Sequence, residues 1–425
     1  MRFSARTVVS CTAVPLLALA CSSAGDATGS SAQAATAASP SDDAPLRDVL
    51  LVGNSVGGTV SFLDGHGYQN LGSVNVTPDL ADRLAAIHGD LIHSAVYGII
   101  TDKEKVKHFE PANGLRLVDD VFVSPDGTRL YVSRSNLGDF AAFDLTTESH
   151  PMIWRHDVSG YKSDHASISP DGTRIVVSAT ALDKAEVLDA ANGNVVTTFP
   201  TGHYPHQNDY SADGQHIYNG SIGDISLPSS LDFLKGFRLL TVVNASTFAV
   251  ERTYLFPEGI RPSVFTADGK TMFADLSYFN GLIRYDLTSG TITGRLEEPT
   301  SAFAQSNYAT HDDYPHDSAH HGIALSGDGA HLCDVGTIDN TVAVVSTATL
   351  RVESMVDVGV LPYWATTSAD GTACFVTVGG ANAIAVVDYA TGQIVTTTPV
   401  GSFPQRNRLG LVPQSVIGLL ASNPG

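Results

Sequence analysis

The segment from residue 311 to residue 321 contains four histidines and three aspartates in eleven positions. Imidazole and carboxylate groups at this density suit a transition metal such as copper, zinc or iron, whereas an all-oxygen calcium site would not need the histidines. The segment lacks the spacing of a known motif such as H-E-x-x-H, so a polar loop is the alternative to a metal site. The candidate ligands are His311, His316, Asp317, His320 and His321, with Asp312 and Asp313 beside them.

Two pairs of adjacent residues could perform acid–base chemistry without a metal. They are Asp119–Asp120 and Asp164–His165, and the candidate catalytic residues are therefore Asp119, Asp164 and His165. Arg261 or Arg406 could hold an anionic substrate through two hydrogen bonds. The chain contains no phosphate-binding loop or dinucleotide fingerprint, and the glycine-rich stretch GNSVGGT at residues 53–59 lies in a predicted hairpin and not before a helix. No specific motif therefore supports an enzyme.

A repeated turn indicates the elements that position these residues. Asp-Gly turns recur at residues 124–127, 169–172, 211–214, 266–269, 326–329 and 368–371, at distances of 42 to 60 residues. Each turn separates two short apolar or alternating runs, which is the strongest sequence signal for a hairpin. The distances suit one four-stranded propeller blade with variable loops.

A second repeated motif gives the number of blades. It occurs seven times, at residues 63–69, 143–149, 188–194, 243–249, 285–291, 345–351 and 387–393. There are only six Asp-Gly turns because the first unit lacks its innermost strand, which residues 404–411 can supply. The sequence thus predicts an all-β fold, a seven-bladed β-propeller whose ring is closed by strands from both termini; such closure removes exposed sheet edges.

The repeats also set the domain boundaries. A helical insertion is predicted at residues 77–118 and a C-terminal tail at 412–425. The predicted blades comprise residues 48–76 with 404–411, then 119–158, 163–202, 205–258, 261–297, 318–359 and 362–401.

Three long segments are predicted to lie on one face of the propeller, here called the top face. This face carries the connections between blades and those between the second and third strands of a blade. Residues 77–118, 222–238 and 298–318 all belong to such connections. Loops gathered on one face of a rigid scaffold usually carry the binding function.

The start of each innermost strand identifies the residues around the top of the central channel. The first set consists of Asp119, Asp164, His206, Arg261, His321, Tyr363 and Gln405. One position further along are Asp120, His165, Gln207, Trp364 and Arg406. We call these two sets the channel mouth. Unlike polar side chains that converge on one opening favour a binding site, although any propeller channel has a wet, polar mouth.

The N-terminus predicts export. Residues 1–20 have two arginines and a short apolar run typical of a signal peptide, and "LLALAC" resembles a bacterial lipoprotein box with Cys21 as the lipidated residue. Residues 21–47 then form a flexible linker. Ordinary secretion is the alternative. Loss of Arg2 and Arg6 with the leader changes the net charge from −20 to −22, which argues against nucleic-acid partners and leaves the lipid anchor as the only membrane contact.

Two cysteines remain in the folded part. Cys333 and Cys374 are predicted on the second strands of blades 6 and 7, where they either face each other across the gap between blades or point apart. An oxidising envelope permits a disulfide, and two buried free thiols are the alternative.

The unit at residues 362–401 resembles the YVTN-type propeller repeat of exported bacterial proteins, and the resemblance extends over residues 48–411. It implies the propeller fold and a binding role. This class of propeller is more distantly similar to the large subunit of quinoprotein amine dehydrogenases and to the copper-bearing propeller of nitrous oxide reductase. A shared fold does not transfer chemistry.

The sequence therefore predicts an extracytoplasmic binding protein that recognises a small molecule, a peptide or a protein partner at the channel mouth. The alternative is a metal-dependent oxidoreductase or hydrolase with a His/Asp centre at the same mouth, and a purely structural surface module is the third possibility. The predicted ligand-binding residues are His165, His206, Arg261, His320, His321, Tyr363, Trp364 and Arg406.

Overall fold

The computed structural model describes residues 45–106 and 115–421. Within them, seven four-stranded antiparallel sheets form a ring, which confirms the seven-bladed β-propeller. The predicted signal peptide, Cys21 and most of the predicted linker lie outside the described residues.

The strands of the first four blades have the following bounds. Blade 1 begins with β1 (Leu46–Asn54), β2 (Thr59–Asp64) and β3 (Asn70–Asn75). Blade 2 has β4 (Val121–Val123), β5 (Arg129–Arg134), β6 (Asp139–Asp144) and β7 (Met152–Asp157). Blade 3 has β8 (Ser163–Ile168), β9 (Arg174–Ala179), β10 (Lys184–Asp189) and β11 (Val195–Pro200). Blade 4 has β12 (Pro205–Tyr210), β13 (His216–Ser221), β14 (Arg238–Asn244) and β15 (Val250–Phe256).

The remaining strands complete the ring. Blade 5 has β16 (Ile260–Phe265), β17 (Thr271–Leu276), β18 (Gly281–Asp286) and β19 (Thr291–Glu297). Blade 6 has β20 (His320–Leu325), β21 (His331–Gly336), β22 (Thr341–Ser346) and β23 (Arg351–Asp357). Blade 7 has β24 (Pro362–Thr367), β25 (Ala373–Val378), β26 (Ala383–Asp388) and β27 (Ile394–Pro399), and β28 (Pro404–Pro413) returns to blade 1.

The Asp-Gly turns join the first and second strands of a blade. In the turn of blade 2, the carboxylate of Asp126 accepts hydrogen bonds from the backbone N–H of Thr128 at 3.1 Å and from its hydroxyl at 2.9 Å. Gly127 has a φ of +67°, and a Cβ there would lie 2.3 Å from the carbonyl oxygen of Leu411. The aspartates of these turns are therefore structural.

Closure of the ring uses both ends of the chain. β28 is the innermost strand of blade 1 and pairs with β1 from Leu46 opposite Pro413 to Asn54 opposite Pro404. This pairing corrects two boundaries, because Leu46 and Arg47 belong to a strand rather than to the linker, and β28 extends two residues into the predicted tail. The rest of that tail forms α4 (Gln414–Ala421), whose Val416, Ile417 and Leu420 are buried in the apolar core between blades 1 and 2.

The insertions add the other helices. α1 (Leu80–Gly89) and α2 (Leu91–Val106) follow blade 1, and α3 (Ala302–Asn307) follows blade 5. In the described part of the chain, no single helix has the length and apolar character needed to cross a membrane. Only the pair Leu80–Gly89 and Leu91–Thr101, bent by 113°, satisfies those two criteria.

The second strands of blades 6 and 7 are covalently linked. Cys333 on β21 and Cys374 on β25 form a disulfide across the gap between the blades, with Cα atoms 6.4 Å apart. Both cysteines are fully buried in the apolar core of that gap. Of the two orientations open to the sequence, the structure has the one in which the side chains face each other.

Candidate functional site

A cavity of about 600 Å³ lies on the top face, above the central channel. Its lining comes entirely from connections between blades, from connections between second and third strands, and from the first residues of innermost strands. The cavity is therefore built by the face on which the sequence places the three long insertions. Its volume is within the range typical of small-molecule sites.

The walls of the cavity are apolar. Val96, Ile99 and Ile100 of α2 form one side, and Ile222 and Ile225 of the connection between β13 and β14 form another. Both elements belong to predicted insertions, and each projects apolar side chains over the channel rather than into a blade. Water displaced from such walls favours a ligand with an apolar portion.

Three cationic side chains lie at the base of the cavity, where the walls meet the channel. Arg116 donates to Gln405 Oε1 through its Nε at 3.0 Å and lies 3.7 Å from Asp119. Lys162 donates to Ser135 Oγ at 2.5 Å. Arg261 donates through Nε to Ser277 Oγ at 2.9 Å. All three side chains contribute to the lining, so an anion at the base would meet positive charge from three blades.

A strained segment brings His316 to the cavity. His316 and Asp317 both have left-handed backbone conformations, with φ of 49° and 65°, which are costly for residues other than glycine. Asp317 is held by Lys235, whose Nζ lies 2.6 Å from its carboxylate, and its carbonyl oxygen accepts from the backbone N–H of Tyr278 at 2.8 Å. The guanidinium of Arg261 also donates to the carbonyl oxygen of His316. Contacts between two insertions thus fix the position of this histidine.

Three imidazoles and a phenol share the cavity. Tyr363 Oη lies 3.0 Å from His321 Nε2 and 3.4 Å from His316 Nδ1, and the rings of His206 and His321 lie 5.4 Å apart. Burial lowers the pKa of each histidine well below 6.5, and nearby arginines lower it further. These histidines are neutral at pH 7, so they can both donate and accept hydrogen bonds.

Asp164 is the acid at the base of the cavity. Burial, together with the neighbouring charge of Asp119, raises the pKa of Asp164 to about 7. Its carboxylate accepts from the backbone N–H of His165 at 3.0 Å. A carboxyl group with this pKa can exchange a proton near neutral pH.

The predicted mouth residues separate into two layers. Among the predicted ligand-binding residues, His206, Arg261, His321 and Tyr363 line the cavity, whereas His165, Trp364 and Arg406 do not. Arg406 lies over the ring of Trp364 at 3.6 Å and contacts His165 Nε2. These three residues form a buried layer below the cavity, and their predicted role in ligand binding stays a prediction. Asp119, also fully buried, lies 3.7 Å from Arg406 in the same layer.

The five candidate metal ligands of the opening motif do not form one site. His311 is exposed and stacks on Tyr278 with ring centroids 5.0 Å apart. Asp317 pairs with Lys235, and only His316 and His321 reach the cavity. His320 points into the gap between blades 5 and 6, where it contacts Asp334 at 3.0 Å. It is therefore absent from the cavity as well.

Another combination of mouth residues has the geometry of a metal site. One potential ligand atom from each of Asp164, His165 and His206 lies within 4.8 Å of the others. The pKa of His206 is lowered, however, by burial and by the positive charges of Arg261, Arg406 and Arg116. Arg406 also contacts His165 directly. Positive charges this close oppose a cation and favour an anion.

Comparison with known proteins does not identify the chain. No family model matches it. No curated protein shows significant similarity to it. The assignment to the YVTN-type repeat class therefore remains a prediction, and the seven-bladed propeller stands on the structure.

Several cavity residues were not predicted from the sequence. Arg116 and Lys162 come shortly before the first inward-pointing residues of blades 2 and 3, and this position was a usable signal. For the apolar wall residues the sequence contains no such signal, because only the folded insertions show which of their side chains face inward. The unpredicted residues of the lining are Val96, Ile99, Ile100, Arg116, Lys162, Ala181, Tyr204, Ile222, Asp224, Ile225 and Ser226.

Proposed function

We propose that this protein binds a small amphipathic anion in the top-face cavity. The observation that carries the proposal is the combination of apolar walls with three cationic side chains at the base of one cavity. A carboxylate or a similar anionic group would contact Arg116, Lys162 and Arg261, and the apolar part would lie against α2 and Ile222. In keeping with the predicted signal peptide and the predicted lipidation of Cys21, we propose that this binding takes place outside the cytoplasm on a lipid-anchored protein.

The charges of the lining support an anion over a cation. Asp164 and Asp224 are the acids of the lining, and Asp164 is partly protonated at neutral pH because its pKa is about 7. Binding should therefore strengthen as the pH falls from 7.5 to 6.

Exposed apolar side chains of two insertions support an apolar portion in the ligand. The insertions that form the walls also expose large apolar side chains, among them Leu91 and Ile92 on α2 and Phe233 and Phe237 near β14. Phe233 is 79% exposed.

The test is a fluorescence titration with 8-anilinonaphthalene-1-sulfonate, an amphipathic anion, followed by competition. Decanoate should displace the probe, and decyltrimethylammonium of the same chain length should not. Arg261→Gln and Lys162→Gln should each weaken binding about 10-fold or more, because a hydrogen bond to a charged group contributes about 1.5–3 kcal/mol. Arg252→Gln, at an exposed arginine on β15, is the matched control and should bind as the wild type does. Equal displacement by the cationic competitor would refute the proposal.

A second function, acid–base or metal-dependent catalysis as an oxidoreductase or hydrolase, is favoured by one observation. Asp164 combines a pKa of about 7 with a position in the lining, beside the imidazoles of His165 and His206. Elemental analysis of the protein purified without a histidine tag tests the metal-dependent form. Stoichiometric copper, zinc or iron that is lost in Asp164→Asn would make catalysis the preferred function, and a metal-free protein would exclude this centre.

A further inference from the structure

A second group of ionisable side chains lies away from the cavity, in the gap between blades 5 and 6. Asp275 is on β17, Glu298 follows β19, and His320 and Asp334 are on β20 and β21. Asp275, His320 and Asp334 are fully buried, and Glu298 is 5% exposed. We call these four residues the interblade cluster.

The histidine of the interblade cluster carries a positive charge. The side-chain amide of Asn280 donates through Nδ2 to the carbonyl oxygen of Glu298 at 3.2 Å, so its Oδ1 faces His320 Nε2, at 2.8 Å. His320 Nδ1 lies 3.0 Å from Asp334 Oδ1. Both ring nitrogens thus meet acceptors and both donate, which is the hydrogen-bonding pattern of an imidazolium.

The single positive charge of the His320 imidazolium does not neutralise the negative charges of the interblade cluster. Three carboxylates face a single positive charge, and no lysine or arginine in the described part of the chain forms an ion pair with Asp275, Glu298 or Asp334. With all three ionised, two negative charges remain in a buried space. Burial of unpaired charge is among the most costly features a protein can contain.

With the carboxyl groups ionised, four of the cluster's carboxylate oxygens meet no hydrogen-bond donor among the described residues. They are both oxygens of Asp275, Oδ2 of Asp334 and Oε1 of Glu298. Asp275 is fully buried and near enough to Asp334 for their carboxyl groups to interact directly. Glu298, His320 and Asp334 each place one potential ligand atom within 4.8 Å of the others. Buried polar atoms without partners call for an explanation such as a bound ion.

We propose that the interblade cluster binds a divalent cation through the carboxylate oxygens of Asp275, Glu298 and Asp334. Carboxylate ligands select ions of the class of Ca²⁺ and Mn²⁺. The ion supplies the two positive charges that the cluster lacks, and His320 remains the hydrogen-bonding partner that orients Asp334. The site joins β17 to β21 and lies outside the cavity, so it does not depend on the proposed function.

The test uses the full propeller domain without a histidine tag, treated with EDTA and then titrated with MnCl₂ or CaCl₂. We expect saturable binding, followed by Mn²⁺ electron paramagnetic resonance, and a rise in Tm of about 5 °C at a 100-fold excess over the dissociation constant. No binding of either ion by the folded protein would overturn the proposal, because the cluster would then be neutralised by protons alone.

Two variants locate the ion. Asp275→Asn with Glu298→Gln keeps the shape of the cluster and removes two charges, so it should bind Mn²⁺ at least 10-fold more weakly. In EDTA it should unfold at a higher temperature than the wild type, since its carboxylate repulsion is gone. Glu353→Gln, at an exposed carboxylate of β23, is the matched control and should retain wild-type affinity. Loss of Mn²⁺ binding in Asp164→Asn alone would place the ion at the mouth and refute the interblade site.

Discussion

His320 and His321 are consecutive residues of β20, yet they occupy opposite electrostatic environments. His321 faces the cavity, where burial and the guanidinium of Arg261 hold its pKa well below 6.5. His320 faces blade 5, where Asp334 outweighs the effect of burial and raises the pKa of His320 to about 10. Successive side chains of a strand point to opposite sides. One strand therefore supplies a neutral group to a cation-rich site and a charged group to an acidic one.

The largest expected loss of unfolding free energy is obtained by mutating these two histidines one at a time. His320→Leu leaves the buried Asp334 without its partner and should lower the free energy of unfolding by about 3–5 kcal/mol. His321→Leu removes a neutral hydrogen bond to Tyr363 and should cost about 1 kcal/mol. Urea unfolding of both variants in EDTA measures the difference. Equal losses would show that the two environments do not differ as described.

In β21, the next strand of blade 6, successive side chains again point to opposite sides, but the residues differ in chemistry. Cys333 points to blade 7 and forms the disulfide, and its neighbour Asp334 points to blade 5. Blade 6 is thus linked covalently on one side and through charges on the other.

Removal of the covalent link should have the second-largest effect. Cys333→Ala with Cys374→Ala should lower the free energy of unfolding by about 2–4 kcal/mol, because the disulfide closes a loop over 41 positions. Dithiothreitol should lower the Tm of the wild type and leave that of the double variant unchanged. A wild type insensitive to reduction under unfolding conditions would contradict this prediction.

The alternation also explains what the sequence could predict. The Asp-Gly turns and the seven copies of the second repeated motif specify the propeller because their chemistry is local and repeated. The set of residues near the channel mouth follows from counting along each innermost strand. The lining follows only in part, because Asp119 and Gln405 belong to the same set as His206 and Tyr363 and yet do not line the cavity. The sequence also does not predict the neighbours of His320, since Asp275 and Glu298 come from another blade.

The two environments should respond to pH in opposite directions. In metal-free protein, His320 has a folded pKa of about 10 against about 6.5 unfolded, so its contribution is complete below pH 6.5 and is lost as the pH rises towards 10. Glu298, with a pKa raised by burial to about 8, acts in the same direction between its unfolded value and pH 8. The cavity histidines have lowered pKa values, so their contribution is lost as the pH falls below 6.5.

The measurement is the free energy of unfolding at pH 5.5, 7, 8.5 and 10 in EDTA. Between pH 7 and 10 the wild type should lose about 2 kcal/mol more than His320→Gln. Between pH 7 and 5.5 the two should differ much less in their change of stability, because the cavity histidines are common to both. A wild type that gains stability above pH 7 relative to His320→Gln would mean that His320 is not a buried cation.

The smallest expected change in unfolding free energy comes from removing a tyrosine hydroxyl. It compares a hydrogen-bonded hydroxyl in the cavity with a buried hydroxyl elsewhere that has no partner among the described residues. Tyr363→Phe removes the hydroxyl that contacts His321 and His316, which should cost about 0.5–1.5 kcal/mol of unfolding free energy. Tyr210→Phe is the matched control, because the Tyr210 hydroxyl is buried without a hydrogen-bond partner among the described residues, and its removal should be neutral or stabilising. Tyr363→Phe should also weaken binding of the sulfonate probe, since His316 and His321 lose the group that orients them. If both variants change stability equally, the phenol of Tyr363 has no special role in the cavity.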